Sequence, residues 1–353
     1  MKIFIRADGS KIIGIGHLMR CMTLAQKLKE SSNCEIIFLV HEIPQHIKTY
    51  IYTLGFSIVQ YNTVYRIGSV EDAKFILTLI REKYVITNQD WLIVDHYMID
   101  KDWESVLGLE FHKIMVIDDL ANRKHNCTLL LDTTVSVDYT YRYENLLSPN
   151  TIKLLGPHYA LLRDEFSEMR NKILSGHMNK IKGNILICFG GTDPTNETEK
   201  VIRALEPWVL KKKFQLTVIM GSANPHISKV EAKYGATSGI NLSVQPHSIA
   251  LEMSKAELAI CAGGTMTWER YCLGLPGLVI AVADNQINIA KEGERQRIDK
   301  YLGEASEVQE FHIDKALMEL LYTPHRIMDA AKIAWELVDG EGAARVSQYI
   351  LSL

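Results

Sequence analysis

A histidine in a glycine-bearing loop is the first group in the chain that could do chemistry. The loop spans residues 14–20 and includes Gly14, Gly16 and His17. Glycine carries no Cβ, so its backbone can approach a ligand closely. Histidine titrates near neutrality, so it can take a proton from water or a hydroxyl. We therefore interpret His17 as a candidate general base, with capping of the following helix as the alternative.

A second glycine-bearing loop lies in the other half of the chain. Gly263 and Gly264 precede Thr265 and Met266 at the start of a predicted helix, where backbone N–H groups bind phosphate well. Glu269 lies one helical turn beyond Thr265 on the same side, so its carboxylate can accept hydrogen bonds from a ribose diol. The pattern predicts a nucleoside-diphosphate site. The alternative role of Glu269 is compensation of the helix dipole.

Two further polar segments follow predicted strands. Gly190 and Gly191 form a glycine-rich turn, which is either a ligand contact or an ordinary tight turn between a strand and a helix. Asp284, Asn285 and Gln286 suit the hydroxyl or amide groups of a sugar, with helix capping as the alternative.

A pair of acidic residues, Asp118 and Asp119, also follows a predicted strand. No second ligand cluster at a diagnostic spacing accompanies the pair, so we predict no metal site. We expect Asp119 to be structural or to hydrogen-bond a loop residue such as His17.

Strands and helices are predicted to alternate along the chain. Apolar runs at residues 2–6, 91–94 and 114–117 predict buried strands, each followed by a polar, acidic or histidine-bearing loop. Such alternation favours a parallel, doubly wound sheet, whose ligands bind outside the carboxyl ends of the strands. The same pattern restarts at Ile185. We therefore predict an α/β chain of two Rossmann-like domains with a cleft between them.

The predicted domain boundaries follow from this restart. Residues 1–160 form the domain with the histidine loop, and residues 183–353 form the domain with the nucleotide-binding loop. Residues 161–182, where the pattern changes, are predicted to link the two domains.

The composition is that of a soluble globular protein. The 353 residues are 47% hydrophobic and 23% charged, with a formal net charge of −3. This charge gives no reason to expect nucleic acid as a partner. No apolar stretch reaches the length of a membrane span, the N-terminus lacks the architecture of a signal peptide, and the six cysteines are scattered. We expect a cytoplasmic protein that binds a small molecule and does not insert into membranes.

Several strand-end motifs together resemble one enzyme family. The chain resembles the UDP-sugar hydrolases of pseudaminic acid biosynthesis, which have the two-domain glycosyltransferase-B architecture. That family is similar to the lipid-linked glucosaminyltransferase of peptidoglycan synthesis. The matching segments, in order, are residues 6–8, 14–17 with Arg20, 94–97, 117–119, 156–163, 189–193, 263–265 with 268–270, and 275–276 with 284–286.

The resemblance implies hydrolysis of UDP-2,4-diacetamido-2,4,6-trideoxy-β-L-altropyranose to UDP and the free sugar, without a metal or a cofactor. It implies that His17 is the general base, that Tyr97 is an active-site residue near the sugar, and that Glu269 contacts the nucleotide. The same motifs add three predicted substrate contacts, Arg20, Asp95 and His96. A glycosyltransferase of the same fold and a non-catalytic UDP-sugar-binding protein are the alternatives.

Overall fold

The computed structural model describes residues 1–10, 13–135, 139–321, 323 and 325–353. These residues form two compact units. One unit is Met1–Leu161 together with Glu341–Leu353, and the other is Leu162–Gly340. Within the described part of the chain, no helix combines the length and the apolar character needed to cross a membrane.

The first unit is built on a parallel sheet. Its described strands are β1 (Lys2–Ala7), β2 (Glu35–Val40), β3 (Ser57–Gln60), β4 (Trp91–Asp95), β5 (Lys113–Ile117), β6 (Leu129–Asp132) and β7 (Ile152–Leu155). The helices between them are α1 (Gly16–Ser31), α2 (Gln45–Thr53), α3 (Val70–Lys83), α4 (Lys101–Leu107) and α5 (Tyr139–Arg142), and a 3₁₀ turn follows at Pro157–Tyr159.

The order of these strands places two loops side by side. The sheet runs β3-β2-β1-β4-β5-β6-β7, so the chain changes direction across the sheet between β1 and β4. Ala7 at the end of β1 pairs with Asp95 at the end of β4. The loops that leave two such strands separate to opposite faces of the sheet, and ligands of α/β proteins bind in the crevice that results. The histidine loop and residues 95–97 therefore start from the same point.

Both faces of this sheet are covered, which explains why its strands are apolar runs. Ile3 and Ile5 pack into a core that contains Leu24 of α1. Phe4 points to the other face, into a core that contains Trp103 of α4. The strands and helices that carry the polar loops are thus fixed by burial on both sides.

The second unit repeats the architecture. Its strands, within the described residues, are β8 (Asn184–Cys188), β9 (Gln215–Met220), β10 (Ile240–Val244), β11 (Leu258–Ala262), β12 (Gly277–Ala281) and β13 (Lys300–Glu304). Its helices are α6 (Asp164–Leu174), α7 (Glu197–Leu210), α8 (Ile227–Tyr234), α9 (Ile249–Ser254), α10 (Met266–Cys272), α11 (Asp284–Arg295), α12 (Glu310–Leu321) and α13 (His325–Leu337). The order β10-β9-β8-β11-β12-β13 changes direction between β8 and β11. The predicted class, α/β with two Rossmann-like domains, is confirmed.

The last helix, α14 (Gly342–Ser352), belongs to the first unit. Ala343, Val346 and Ile350 are buried in the same core as α1. Gly342 allows the close approach, since a Cβ there would lie 2.3 Å from the carbonyl oxygen of Ala160. The sequence pattern places residues 341–353 with the C-terminal domain, and the structure differs because an apolar helix face does not indicate which sheet it covers.

Candidate active site

Asp95, the last residue of β4, is the centre of a polar cluster in the first unit. Its side chain is buried, and its Oδ1 lies 2.7 Å from Nδ1 of His17. Arg20 hydrogen-bonds both carboxylate oxygens: Nη2 donates to Oδ1 and Nε donates to Oδ2, at 2.6 Å each. Because His17 and Arg20 are three residues apart on α1, they lie on one face of the helix and reach the same carboxylate.

Two opposing effects act on the Asp95 carboxyl. Burial alone would raise its pKa, but the Arg20 guanidinium and the His17 ring outweigh burial and hold the pKa well below its usual range. Asp95 is therefore ionised at neutral pH. A forked pair between a guanidinium and a carboxylate is strong and directional, so Asp95 is a rigid support for His17.

The ionised carboxylate determines how the His17 ring is used. A carboxylate oxygen only accepts hydrogen bonds, so the proton of a neutral imidazole is placed on Nδ1 and the lone pair is left on Nε2. Arg20 Nη2 also lies 3.2 Å from Nδ1, but a protonated Nδ1 cannot accept from it. The arrangement gives His17 a basic nitrogen on the side away from Asp95, as in the carboxylate–histidine pairs of hydrolases.

Tyr97 packs edge-on against this histidine. The ring centroids of His17 and Tyr97 are 4.7 Å apart, with an interplanar angle of 84°. The Tyr97 hydroxyl donates to Oδ2 of Asp119 at 3.3 Å, and Arg20 Nη1 donates to the same oxygen at 3.1 Å. The hydrogen-bond partner of His17 is thus Asp95, while Asp119 is linked to His17 through Arg20 and Tyr97.

Both ring nitrogens of His96 contact other groups of the protein. Its Nε2 lies 3.4 Å from Oδ2 of Asp8, and its Nδ1 accepts a hydrogen bond from the N–H of Met98 at 3.1 Å. Burial lowers the pKa of His96, while Asp8 opposes this effect. Because both ring nitrogens are engaged, we infer that His96 fixes the loop that carries Tyr97. Its predicted contact with substrate stays a prediction.

The two glycines of the histidine loop have different surroundings. Gly14 has φ +79°, which favours glycine, and no atom lies within 4 Å of the position that a Cβ would take. Its N–H donates to the carbonyl oxygen of Ser10 at 2.9 Å, and its carbonyl accepts from the N–H of Ser10 at 3.2 Å, so Gly14 is held against Ser10. Gly16 is the first residue of α1 and delivers His17 into the first helical turn.

In the second unit, the loop after β11 presents three backbone N–H groups. No described residue accepts from the N–H of Gly264, Thr265 or Met266. The N–H of Gly263, by contrast, donates to Oε1 of Gln286 at 3.2 Å. Thr265 precedes α10, and its side chain accepts no capping hydrogen bond. N–H groups without an internal acceptor at a helix start suit an anionic group.

In the segment after β12, Gln286 contacts the protein, whereas Asp284 and Asn285 are exposed. Oε1 of Gln286 accepts from the N–H of Val282 at 3.0 Å as well as from Gly263. Gln286 therefore ties two strand-end loops together, which leaves that oxygen less available to a sugar. Asp284 and Asn285 are exposed in the first turn of α11.

Glu269 lies on α10 beside a cation that sequence reasoning missed. Its side chain is 21% exposed, and its Oε1 is 3.4 Å from Nη2 of Arg163, whose Nη1 is 2.7 Å from Oε1 of Glu165. Burial raises the pKa of Glu269, Arg163 opposes this, and Glu165 adds to it. The signal for Arg163 was its position at the end of the segment 156–163, next to an acidic helix start.

The turn after β8 is open at its glycines. Gly190 has φ +83°, and nothing lies within 4 Å of a Cβ built on Gly190 or on Gly191. The following helix, α7, is already capped, because the Asp193 carboxylate accepts from the N–H groups of Glu197 and Thr198 at 2.8 and 3.0 Å. A ligand at this turn would therefore meet the glycine backbone and not the N-terminus of α7.

Asp118 is held by the protein and not arranged as a metal ligand. It is fully buried and accepts from Arg123 Nη1 at 2.8 Å, the N–H of Ala121 at 2.9 Å and the Tyr143 hydroxyl at 3.1 Å. Over the residues that the structure describes, no three His, Cys, Asp or Glu side chains are grouped to hold a metal ion.

The chain is similar to a glycosyltransferase domain family and to two proteins of known name. Residues 185–345 match the family described as the glycosyltransferase family 28 C-terminal domain. The UDP-2,4-diacetamido-2,4,6-trideoxy-β-L-altropyranose hydrolase of Campylobacter jejuni is 27% identical over 82% of this chain and 95% of its own. The spore coat polysaccharide biosynthesis protein SpsG of Bacillus subtilis is 26% identical over 100% of this chain and 98% of its own. The resemblance inferred from the strand-end motifs is confirmed.

Solved structures share the fold over the whole chain. MurG of Acinetobacter baumannii superposes with a TM-score of 0.67 at 13% identity, covering 100% of both chains. The UDP-GlcNAc 2-epimerase of Neisseria meningitidis, solved with UDP-GlcNAc bound, gives a TM-score of 0.67 at 12% identity, again covering 100% of both chains. At these identities the likeness establishes the glycosyltransferase-B fold.

Proposed function

We propose that this protein is a UDP-sugar hydrolase. The observation that carries the proposal is the 2.7 Å hydrogen bond between Nδ1 of His17 and Asp95, which leaves Nε2 of His17 as a base. The loop after β11, with three N–H groups that lack an acceptor among the described residues, supports a nucleotide on the second unit.

The proposed reaction breaks the bond between the anomeric carbon and the diphosphate. Nε2 of His17 takes a proton from water, and the water oxygen attacks the anomeric carbon from the face opposite to the leaving group. The carbon–oxygen bond breaks, and its electron pair leaves with UDP. Base catalysis of this kind contributes about 10²–10⁴-fold to the rate.

The second unit is proposed to stabilise the departing UDP. The N–H groups of Gly264, Thr265 and Met266 would face the diphosphate, where donors that are already oriented stabilise developing charge. Glu269 would accept from the ribose hydroxyls, and its 3.4 Å contact with Arg163 is long enough to be exchanged for a shorter one. The segment 284–286 is proposed to lie near the sugar.

The proposed substrate is UDP-2,4-diacetamido-2,4,6-trideoxy-β-L-altropyranose. This choice is supported by the Campylobacter jejuni hydrolase, which spans most of the chain at 27% identity. The products would be UDP and the free 2,4-diacetamido-2,4,6-trideoxy-L-altrose, a precursor for nonulosonic acid biosynthesis. Neither a metal nor a cofactor takes part in the proposed steps.

A glycosyltransferase that uses a UDP-aminosugar donor is the second candidate. It is favoured by the match of residues 185–345 to a glycosyltransferase family 28 domain and by the polysaccharide biosynthesis protein among the relatives. Both candidates share the donor site, and they differ in whether water or a sugar hydroxyl attacks.

Incubation with the UDP-sugar in the absence of any acceptor distinguishes the candidates. Release of UDP with equimolar free sugar, at a rate that added acceptors do not increase, supports the hydrolase. Turnover only after a sugar acceptor is added supports the transferase. Tight binding of the UDP-sugar without turnover in either condition indicates a binding protein.

A further inference from the structure

One carboxylate oxygen of Asp119 accepts hydrogen bonds from the protein, and the other accepts none from the described residues. Oδ2 accepts from Arg20 Nη1 at 3.1 Å and from the Tyr97 hydroxyl at 3.3 Å. Oδ1 is buried, and no donor among the described residues reaches it. A carboxylate oxygen in this situation is costly, because it has lost water without gaining a donor.

The position of this oxygen connects it to the proposed base. Arg20 joins Asp119 to Asp95, the partner of His17. Tyr97 joins Asp119 to the His17 ring itself, against which it packs edge-on. Asp119 is therefore held in place from two sides by residues that contact His17, and its side chain is 17% exposed.

We propose that Oδ1 of Asp119 accepts a hydrogen bond from an N–H or O–H group on the sugar ring of the bound substrate. Asp119 would then be a specificity-determining residue, which favours sugars that present a donor at this point and disfavours those that present an acceptor. The inference rests on the proposed function, because it assumes that the ligand beside His17 is the sugar of a UDP-sugar.

Asp119→Asn is a sharp test because two donors determine how the amide must turn. Arg20 and the Tyr97 hydroxyl both donate, so the amide oxygen takes the place of Oδ2 and the NH₂ group takes the place of Oδ1. The variant keeps the contacts with the protein and converts the free acceptor into a donor, which would oppose a donor on the sugar.

The measurement is the dissociation constant of UDP and of the UDP-sugar for both proteins. We expect the variant to bind the UDP-sugar about tenfold or more weakly, with UDP affinity and melting temperature unchanged. Asp102→Asn, an exposed residue on α4 with 66% side-chain exposure, makes the same chemical change and should alter neither constant. Unchanged affinity of Asp119→Asn for the UDP-sugar would overturn the proposal.

A substrate-side experiment can refute the proposal with the wild type alone. Two UDP-sugars that differ at C4, one with an acetamido group and one with a hydroxyl, are compared with the analogue that carries hydrogen there. Two further deoxy analogues probe C2 and C3. Weaker binding of one analogue to the wild type, together with equal binding to Asp119→Asn, identifies the donor and its position. Equal binding of all analogues to the wild type would refute the role of Asp119. If the wild type does not bind UDP, the proposed function itself is wrong. The UDP titration tests this independently of the role of Asp119.

Discussion

Nδ1 of His17 and Oδ1 of Asp95 lie 2.7 Å apart, although the two residues are 78 positions apart in the sequence. They meet because β1 and β4 are neighbours at the centre of the first sheet. The loop after β1 brings the histidine, and the end of β4 brings the carboxylate. A buried, ionised acid that orients an imidazole is the feature on which the proposed chemistry depends.

His17→Asn should remove most of the turnover and leave nucleotide affinity unchanged. Asparagine can still donate to Asp95, but it offers no basic nitrogen, so we expect kcat to fall by about 10²–10⁴-fold. The measurement is the steady-state rate of hydrolysis at saturating UDP-sugar, with UDP affinity determined by calorimetry. His112→Asn, at an exposed position, is the matched control. An equal loss of UDP affinity would show that His17 serves in binding.

Glu269→Ala should weaken UDP binding by about 1–3 kcal/mol, the range for leaving buried hydrogen-bonding groups without a partner. The reason is the proposed contact between its carboxylate and the ribose hydroxyls. Calorimetric titration with UDP and with 2′-deoxy-UDP checks the prediction, since the variant should no longer distinguish the two. Glu231→Ala, at an exposed position on α8, is the control. Unaltered discrimination would leave Glu269 with the helix-dipole role.

Hydrolysis in ¹⁸O-labelled water should place the label on the anomeric oxygen of the sugar. Attack at phosphorus usually requires metal ions or a clamp of Arg and Lys around the diphosphate, and the loop after β11 offers backbone N–H groups instead. Mass spectrometry of both products locates the label, and early NMR spectra should show inverted anomeric configuration. Label in UDP would falsify the assignment of His17 as the base that acts at carbon.

His125 should make stability depend on pH in the alkaline range. Its Nδ1 lies 2.7 Å from Oε1 of Glu104 and its Nε2 lies 3.8 Å from Oδ2 of Asp118. Burial alone would lower the pKa of His125, but the negative charge of Asp118 and the hydrogen bond to Glu104 outweigh burial and raise it to about 9. A raised folded-state pKa means that this stabilisation is complete below about pH 6.5 and is lost as the pH rises through about 9.

Protonated His125 should contribute about 3 kcal/mol to the free energy of unfolding, from the difference between a folded-state pKa of about 9 and an unfolded-state pKa of about 6.5. Urea unfolding of the wild type and of His125→Gln at pH 6, 8 and 10 measures it. The variant should be less stable at pH 6, and the difference should shrink towards pH 10. Taking the difference also removes the contribution of Lys180, whose pKa burial lowers to about 8 although Glu257 opposes it. Parallel curves for the two proteins would contradict the prediction.

Much of the fold follows from local sequence signals. An apolar run at residues 2–6 predicts a strand, and the structure has β1 at Lys2–Ala7. Polar loops after buried strands predict which edge of each sheet carries the candidate site, because all carboxyl ends of a parallel sheet lie at one edge.

The partner of His17 could not be predicted in this way. Asp95 and Asp119 each lie at or just after the end of a predicted strand, and both are acids. The order of strands decides between them, since β1 pairs with β4 and β5 lies one strand further away. Strand order depends on packing between distant parts of the chain, which a single sequence does not display.

The elements that the sequence pattern does not predict include β13 and α14. β13 (Lys300–Glu304) lies at the edge of its sheet and is interrupted by Gly303 at φ +127°, so its residues lack a clear alternation. α14 is a regular amphipathic helix, but its apolar face packs against residues that lie far earlier in the chain, before the whole second unit.

This return of α14 means that the second unit is an insertion in the first. The chain leaves the first unit at Leu161 and re-enters it at Glu341. During synthesis on the ribosome, the second unit can therefore be complete while the core beneath the histidine loop still lacks Val346 and Ile350. Residues 342–352 are made after the second unit and are needed to close the core of the first. The core of the proposed catalytic half should therefore mature after that of the second unit.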